Sequence, residues 1–316
     1  MASKPLVVQT EHIDAPAAAW LGERCEVVAC SSDDGARFAE LLRRADGLLI
    51  RTYTNVDGAM LAGAPRLKVV ARAGVGLDNV DVGACAARGV VVVSTPGANT
   101  RAVVELVTAF MLDGLRPRKC LERSIGKADW GALRKGQIAR RQLCDLTLGI
   151  VGLGRVGSGM ARVGAAMDMR VLYNDVIEIP AERRFGGLPA SFEEVCSQAD
   201  VLTIHVDGRA ENRRLIGDVL DRCKVDVILI NTSRGFVVDA PKLAGFLNLW
   251  PPASAYIDVH EPEPFGVDYP LIGLPNCHLT AHIGAATATA HANMSWVVRD
   301  LWRVLSGEAP EHAARA

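Results

Sequence analysis

The stretch from residue 146 to residue 175 constrains this chain most. An apolar run, Leu146–Val151, breaks into Gly152, Gly154 and Gly157, spaced G-x-G-x-x-G. A helix-forming segment, Ser158–Met167, follows, and a second apolar run, Met169–Tyr173, leads to Asp175. That order predicts a strand, a tight turn, a helix and a second strand with an acid at its tip, about 20 residues beyond the first glycine. Gly152 permits the turn, Gly154 lets backbone approach a pyrophosphate, and Gly157 lets the helix pack closely on the sheet. The free N–H groups that open the helix then face the phosphates. The Asp175 carboxylate can accept both hydroxyls of an adenosine ribose and would repel a 2′-phosphate. Val176-Ile177 come next rather than an arginine, so NAD is favoured over NADP. A bare glycine pattern also fits an ordinary turn; the strand before it, the helix after it and the spaced acid select the dinucleotide reading.

The rest of the composition sets limits. A chain of 316 residues accommodates two domains of ordinary size. A formal net charge of −1 gives no case for nucleic acid or an anionic surface as partner. Met1-Ala2-Ser3-Lys4-Pro5 leads into a strand rather than a signal core, and no apolar run reaches the ~18 residues of a membrane span. Eight scattered cysteines without a C-x-x-C fit a reduced, cytoplasmic protein, and no His or Cys cluster has metal-ligand spacing.

Short apolar runs at Leu6–Thr10, Glu26–Cys30, Leu48–Thr52, Val69–Ala73 and Val90–Ser94 alternate with helical or turn-rich stretches at Gly35–Ala45, Asp57–Ala62 and Val80–Ala87. Such alternation predicts βαβ units and a parallel sheet. The breaker cluster Thr95–Thr100 marks a boundary. Ala102–Leu115 reads as a long buried helix. Residues 116–145 read as a surface connection or oligomer arm, anchored by Trp130. Beyond Asp175, strands are expected at Val201–Val206, Val227–Asn231, Ala255–Val259 and His278–Ala281. Helices are expected at Phe192–Gln198, Asn212–Asp221 and Ala240–Leu247, completing a six-stranded Rossmann domain. Ala285–Leu305 reads as one long helix with Trp296, Val297, Leu301 and Val304 on its apolar stripe, crossing back to the first domain.

Three motifs fall near strand ends, where open α/β sheets bind ligands: Asn231–Gly235, Asp258–Pro264 and Thr280–Gly284. They supply a guanidinium, a carboxylate and an imidazole. Oxidation of a 2-hydroxy acid needs that set: a base near neutral pH for the hydroxyl proton, a carboxylate to fix the tautomer of the base, and a planar cation to clamp the substrate carboxylate. Singly, each residue is equally compatible with a surface ion pair or a core histidine. Their succession behind a dinucleotide fingerprint is not.

Over nearly its whole length the chain resembles the D-isomer-specific 2-hydroxyacid dehydrogenase family. The matching stretches are Arg72–Asp81, Thr95–Leu106, the glycine fingerprint and the three motifs above. The resemblance implies an α/β fold of two doubly wound Rossmann-like domains. One is a flavodoxin-like substrate domain (residues 1–98 with 285–316), and the other is an NAD-binding domain (99–284). It makes Arg234 the substrate arginine, Glu263 the partner of the base, and His282 the acid/base; Glu263, directly before the final proline, fits the family pattern and Glu261 does not. It lays Gly152, Gly154, Arg155, Val156, Gly157, Asp175, Thr232 and Asp258, with Arg234, along the cofactor. Backbone at Gly74, Val75 and Gly76 would meet the substrate carboxylate. Homodimers through the nucleotide domain are common in the family.

Within the family, the stretches Leu49–Thr54, Arg72–Gly74 and Asn99–Leu106 most resemble enzymes acting on 3-phosphoglycerate. Arg51 and Arg72, at adjacent strand ends, could hold a phosphate dianion; interdomain or surface ion pairs are the alternative. Glyoxylate, hydroxypyruvate or another small 2-keto acid is the alternative substrate. Formate is disfavoured because glutamine replaces Glu263 in its family members. An NAD(H)-sensing corepressor shares the fold and the three residues, but the short tail after the last helix favours an enzyme. No regulatory domain follows that helix, so feedback by serine through one is not expected. Two departures stand out: the loop Val206–Asn212, where the family has Pro and Thr, and Arg140-Arg141 in place of a Gly-containing segment.

Overall fold

A computed structural model describes residues 4–314 except 117, 119 and 140. The chain divides into two compact units, residues 1–99 with 285–316, and residues 100–284. The first unit opens with β1 (Leu6–Gln9), α1 (Ala15–Gly22), β2 (Glu26–Ala29), α2 (Gly35–Arg44), β3 (Gly47–Ile50), α3 (Gly58–Ala62), β4 (Val69–Arg72), α4 (Val82–Ala87) and β5 (Val91–Val93). The second unit comprises α5 (Thr100–Leu115), α6 (Lys127–Gly136), β6 (Thr147–Val151), α7 (Arg155–Ala166), β7 (Arg170–Asn174), α8 (Ala181–Arg184), β8 (Leu188–Pro189), α9 (Phe192–Gln198), β9 (Val201–Ile204), β10 (Ile228–Asn231), α10 (Ala240–Leu249), β11 (Ser254–Ile257) and β12 (Cys277–Leu279). The helices α11 (Ala288–Ser295) and α12 (Val298–Ser306) belong to the first unit.

Both sheets are parallel. The first runs β2-β1-β3-β4-β5, the flavodoxin-like order. The second runs β12-β11-β10-β9-β6-β7-β8, the Rossmann order with one strand added at the far edge. Alternation along each strand feeds two cores per sheet, because successive side chains leave on opposite faces. In the first unit, Val8, Leu48, Ile50, Val70 and Val92 join one cluster while Val7, Leu49, Val69, Ala71 and Val93 join the other. The second sheet is divided likewise, with Leu202, Ile204 and Leu229 on one face and Leu148, Ile150 and Ile230 on the other. Burial on both faces is what a parallel sheet requires, and it explains strands that read as unbroken Val, Ile and Leu.

Several expectations need correction. The nucleotide sheet has seven strands rather than six; β8 has only two residues, both exposed, and ends in Pro189, which is tolerated at an edge. Asn212–Asp221 forms no α-helix; a 3-10 helix, Asp218–Arg222, covers its end. The backbone N–H groups of Arg214 and Ile216 donate to Phe236 and Val237 instead of turning inward, and Arg214 is left-handed at φ 54°. The expected helix over 285–305 is two helices. At the break, Trp296 and Val297 bond three residues back rather than four, and the Trp296 ring meets Trp20 edge-on at 6.4 Å. Segment 116–145 contains an unexpected helix, α6, which buries no residue; Trp130 lies on it, 52% exposed. Of the pair Arg140-Arg141, Arg140 lies outside the described residues, while Arg141 bridges Asp200 (2.6 Å) and Asp226 (2.8 Å).

In the first unit, α12 carries a buried acid, Asp300. It accepts the N–H groups of Glu311 (2.8 Å) and His312 (2.9 Å) and a bond from Arg303 (2.9 Å). Asp300, Glu311 and His312 converge closely enough to ligate a cation, but Arg303 pairs with both acids and supplies the positive charge.

Candidate active site

One row of paired residues crosses the second sheet near its carboxyl edge: Asn174, Val151, Ile204, Asn231, Ile257 and Leu279. The residues that follow them are Asp175, Gly152, His205, Thr232, Asp258 and Thr280. The register therefore delivers residues scattered over more than 100 positions of sequence to one edge. The strand order reverses between β6 and β9, and such a switch point is where open α/β sheets bind their ligands.

At that point Gly152 has φ 88°, and a Cβ there would lie 2.7 Å from the His205 carbonyl oxygen. A Cβ on Gly157 would lie 2.0 Å from the Gly152 oxygen, so α7 can start this close to β6 only with glycine. Gly154 is the N-cap of α7, carries no side-chain cap, and has open space where its Cβ would be. Arg155 and Val156 form the first helical turn. Asp175 accepts the Leu153 N–H (2.6 Å) through one oxygen and the Ile177 N–H (3.1 Å) through the other, which holds the carboxylate beside the glycine turn. Thr232 Oγ1 is buried without a partner among the described residues. An uncapped helix start, open space over Gly154, a fixed acid and an unsatisfied buried hydroxyl together fit a dinucleotide.

The other half of the edge holds the titratable groups. His282 Nδ1 bonds to Glu263 Oε2 at 2.8 Å, and the other Glu263 oxygen accepts the His260 N–H at 2.7 Å. Because a carboxylate only accepts, Nδ1 carries the hydrogen and Nε2 is the basic nitrogen. The Glu263 hydrogen bond pushes the His282 imidazole above its ordinary pKa against the opposing effect of burial; Arg234 nearby works in the lowering direction. Burial alone would raise Glu263, but the bonds from His282 and His260 hold its carboxyl below the usual range. Glu261 is engaged elsewhere, in a two-point pair with Arg213 at 2.8 Å for each bond.

The surrounding backbone fixes this pair. His282 sits at φ 53°, an uncommon conformation for a residue other than glycine and one that concentrates at functional sites. Asp258, 1% exposed, holds it there by accepting Thr280 Oγ1 (2.6 Å), the Ile283 N–H (2.8 Å) and the Gly284 N–H (2.8 Å). Asp258, which the sequence reading lays along the cofactor, spends its described side-chain hydrogen bonds on the His282 loop and donates its own N–H to the Asn231 carbonyl (3.0 Å). Asn231 shapes the neighbouring turn by donating to the Arg234 carbonyl (3.0 Å) and accepting the Ser233 N–H (3.0 Å). A Cβ on Gly235 would lie 2.0 Å from His260 carbonyl atoms, so glycine is what lets the Arg234 turn approach the Glu263 loop. Sequence reasoning missed Asn231, Gly235 and His260 as supports.

In the first unit, Ile50 pairs with Arg72, so Arg51 and Arg72 stand at adjacent strand ends. The Arg72 guanidinium lies over Gly74, where a Cβ would be 1.9 Å from Nη1. The Gly74 N–H donates to the Arg72 carbonyl, which leaves Val75 and Gly76 as the open backbone donors of that expected trio among the described residues. Arg51 Nη1 donates to the His12 carbonyl at 3.3 Å. Unforeseen from sequence, Glu11 accepts the successive N–H groups of Arg51, Thr52, Tyr53 and Thr54 at 2.8–3.3 Å, clamping this loop with its own carboxylate.

The second unit is thus an α/β dinucleotide-binding domain with an acid–imidazole pair at the carboxyl edge of its sheet. Residues 108–284 match the family model described as D-isomer specific 2-hydroxyacid dehydrogenase, NAD binding domain. The chain is 34% identical over 307 residues to the D-3-phosphoglycerate dehydrogenase of Mycobacterium leprae, covering 96% of this chain and 57% of that one. It is also 34% identical over 264 residues to the glyoxylate reductase of Aeropyrum pernix, covering 82% of this chain and 79% of that one. The crystal structure of the TT0316 protein from Thermus thermophilus superposes with a TM-score of 0.82 at 31% identity, covering 98% of this chain and all of that one. The chain belongs to the D-isomer specific 2-hydroxyacid dehydrogenase family. It spans little more than half the length of the phosphoglycerate dehydrogenase it matches. No described helix is long and apolar enough to cross a membrane.

Proposed function

We propose that this chain is an NAD-dependent dehydrogenase that oxidises a D-2-hydroxy acid, or reduces the corresponding 2-keto acid. The observation that carries this reading is the His282–Glu263 pair at 2.8 Å, on the same sheet edge as a site that fits a dinucleotide. NAD, when bound, accepts the hydride. His282 Nε2 takes the hydroxyl proton in oxidation and returns one to the carbonyl in reduction. Glu263 fixes the tautomer and stabilises the imidazolium that results. Arg234 clamps the substrate carboxylate through its planar fork. Gly152, Gly154, Arg155, Val156, Gly157, Asp175 and Thr232 hold the cofactor, and Asp258 positions the His282 loop. Backbone at Val75 and Gly76, beside Gly74, meets the substrate carboxylate from the first unit. That unit, closed by α11 and α12, serves as the substrate domain.

The leading substrate is 3-phosphoglycerate, oxidised to 3-phosphohydroxypyruvate in serine biosynthesis. Two features support it: the similarity to a protein named for that reaction, and the position of Arg51 and Arg72 at neighbouring strand ends, where a dianion would find two guanidinium groups. A glyoxylate or hydroxypyruvate reductase is the second reading, supported by equal identity to a glyoxylate reductase over most of that enzyme's length. We place the protein in the cytoplasm as a homodimer through its nucleotide unit. The substrate is tested by following NADH formation at alkaline pH with 3-phosphoglycerate, D-glycerate and D-lactate. Preference for the phosphorylated acid, lost in Arg51→Ala or Arg72→Ala, supports phosphoglycerate; preference for the others returns both arginines to structural duty.

A further inference from the structure

One loop that departs from the family pattern, Val206–Asn212, leaves β9 at the switch point, directly against Gly152. It carries three charges, Asp207, Arg209 and Glu211. The Arg209 side chain forks onto Asp207, with Nε 2.8 Å from one carboxylate oxygen and Nη2 2.6 Å from the other. Beyond Asp207, the Arg209 guanidinium feels the negative charges of Glu211 and of Asp175, the acid expected to read the adenosine ribose. Asp207 in turn feels Arg234. The loop thus sets the Asp207–Arg209 pair beside the Gly152 turn, the same turn whose Leu153 N–H holds the Asp175 carboxylate, and Asp175 is among the charges that act on the Arg209 guanidinium. From sequence alone no arginine serves that position, since Val176 and Ile177 follow Asp175. The register of β7, β6 and β9 brings one in from 34 residues away.

We propose that Arg209 is a specificity-determining residue at the adenosine end of the dinucleotide site, a cation able to receive a ribose 2′-phosphate, so that the chain binds NADP(H) as well as NAD(H) and Asp175 alone sets the preference for the latter. The inference rests on the dinucleotide reading above. Three features carry it. The Asp207–Arg209 pair is about half exposed on both sides, and such pairs are held weakly. Asp207 is not stranded when Arg209 leaves, because Asn212 Nδ2 donates to its carboxylate at 3.0 Å and Arg234 remains nearby. A phosphate dianion offers the same fork two oxygens and a greater charge than the carboxylate it would replace.

The test is a titration of the full-length protein with NADH and with NADPH, read by calorimetry, in the wild type, Asp175→Ala, Arg209→Ala and the double variant. Asp175→Asn serves as a second background should Asp175→Ala lose structure. Removing the acid should strengthen NADPH binding about tenfold or more, and removing Arg209 from that background should reverse the gain while changing NADH affinity by less than about threefold. Equal losses for both nucleotides, or an NADPH affinity that ignores Arg209, would overturn the assignment. If NADH itself failed to bind the wild type, the dinucleotide reading would fall first and this inference with it.

Discussion

Replacing Glu263 by Gln keeps the shape of the side chain and removes its charge. Its Oε2 is the acceptor for His282 Nδ1 at 2.8 Å, and its Oε1 takes the His260 N–H at 2.7 Å. Gln retains one acceptor oxygen, so one of these bonds becomes neutral and the other is lost or reversed. A hydrogen bond to a charged group is worth about 1.5–3 kcal/mol, and the partial exposure of this carboxylate (34%) argues for the lower end. At about 1.4 kcal/mol per factor of ten, turnover should fall roughly 10–30-fold. The pH profile should move as well. Glu263 raises the His282 pKa, and burial lowers it. With the carboxylate gone, burial remains, so the imidazole loses its proton at lower pH. Oxidation, which needs neutral His282, should keep its rate to lower pH than in the wild type. Reduction, which needs the imidazolium, should fail at lower pH. The assay is kcat/KM against pH in both directions, followed by NADH absorbance. A lower rate with both limbs unmoved would refute the tautomer-and-charge role given to Glu263.

Other outcomes can be checked separately. Arg234→Lys should raise KM for the 2-keto acid and lower kcat together, by about tenfold or more in kcat/KM, since an ammonium cannot make the two-point clamp; NADH affinity measured by fluorescence should stay near the wild-type value. Gly235→Ala should lower the stability measured by chemical denaturation by about 2 kcal/mol or more, because its Cβ would sit 2.0 Å from the His260 carbonyl, and backbone cannot yield there without moving Glu263. Asp300→Asn should cost about 2–4 kcal/mol by the same measurement, since it removes the charge that Arg303 and the N–H groups of Glu311 and His312 converge on. Burial pushes the Asp300 carboxyl up, but those bonds hold it below its ordinary value overall. Its stabilisation is therefore present above the unfolded-state pKa and is lost as pH falls through the folded one, and the Asn variant should show a flatter acid limb.

What the sequence makes legible is local or periodic. Leu148, Ile150, Val201 and Leu229 announce strands because each lies in a run buried on both faces, and the glycine fingerprint carries its own geometric reason. Elements without such a signature escape. The two-residue β8 is too short to show a period, and α6 buries nothing, so no apolar stripe marks it. The helix expected over Asn212–Asp221 has helical composition, but the N–H groups of Arg214 and Ile216 find acceptors in residues 236–237, a choice made by tertiary structure, and the 3-10 helix at Asp218–Arg222 covers only its end. The site divides in the same way. His282 and Arg234 stand out as chemistry-bearing residues after strands; within E-P-E-P the family pattern singles out Glu263 for His282, but nothing in the motif sends Glu261 to Arg213. The Asp207–Arg209 loop against the Gly152 turn and Glu11 under residues 51–54 are products of tertiary assembly, invisible until the sheets are built.

The central claim is that His282 moves the proton. Its most direct test is single-turnover oxidation of NADH by a 2-keto acid in His282→Gln, with NADH affinity measured on the same sample. Removal of a positioned acid/base should slow turnover by about 10²–10⁴-fold while NADH binds as in the wild type. Turnover within a few-fold of the wild type, with binding intact, would contradict the claim and leave the imidazole a structural partner of Glu263.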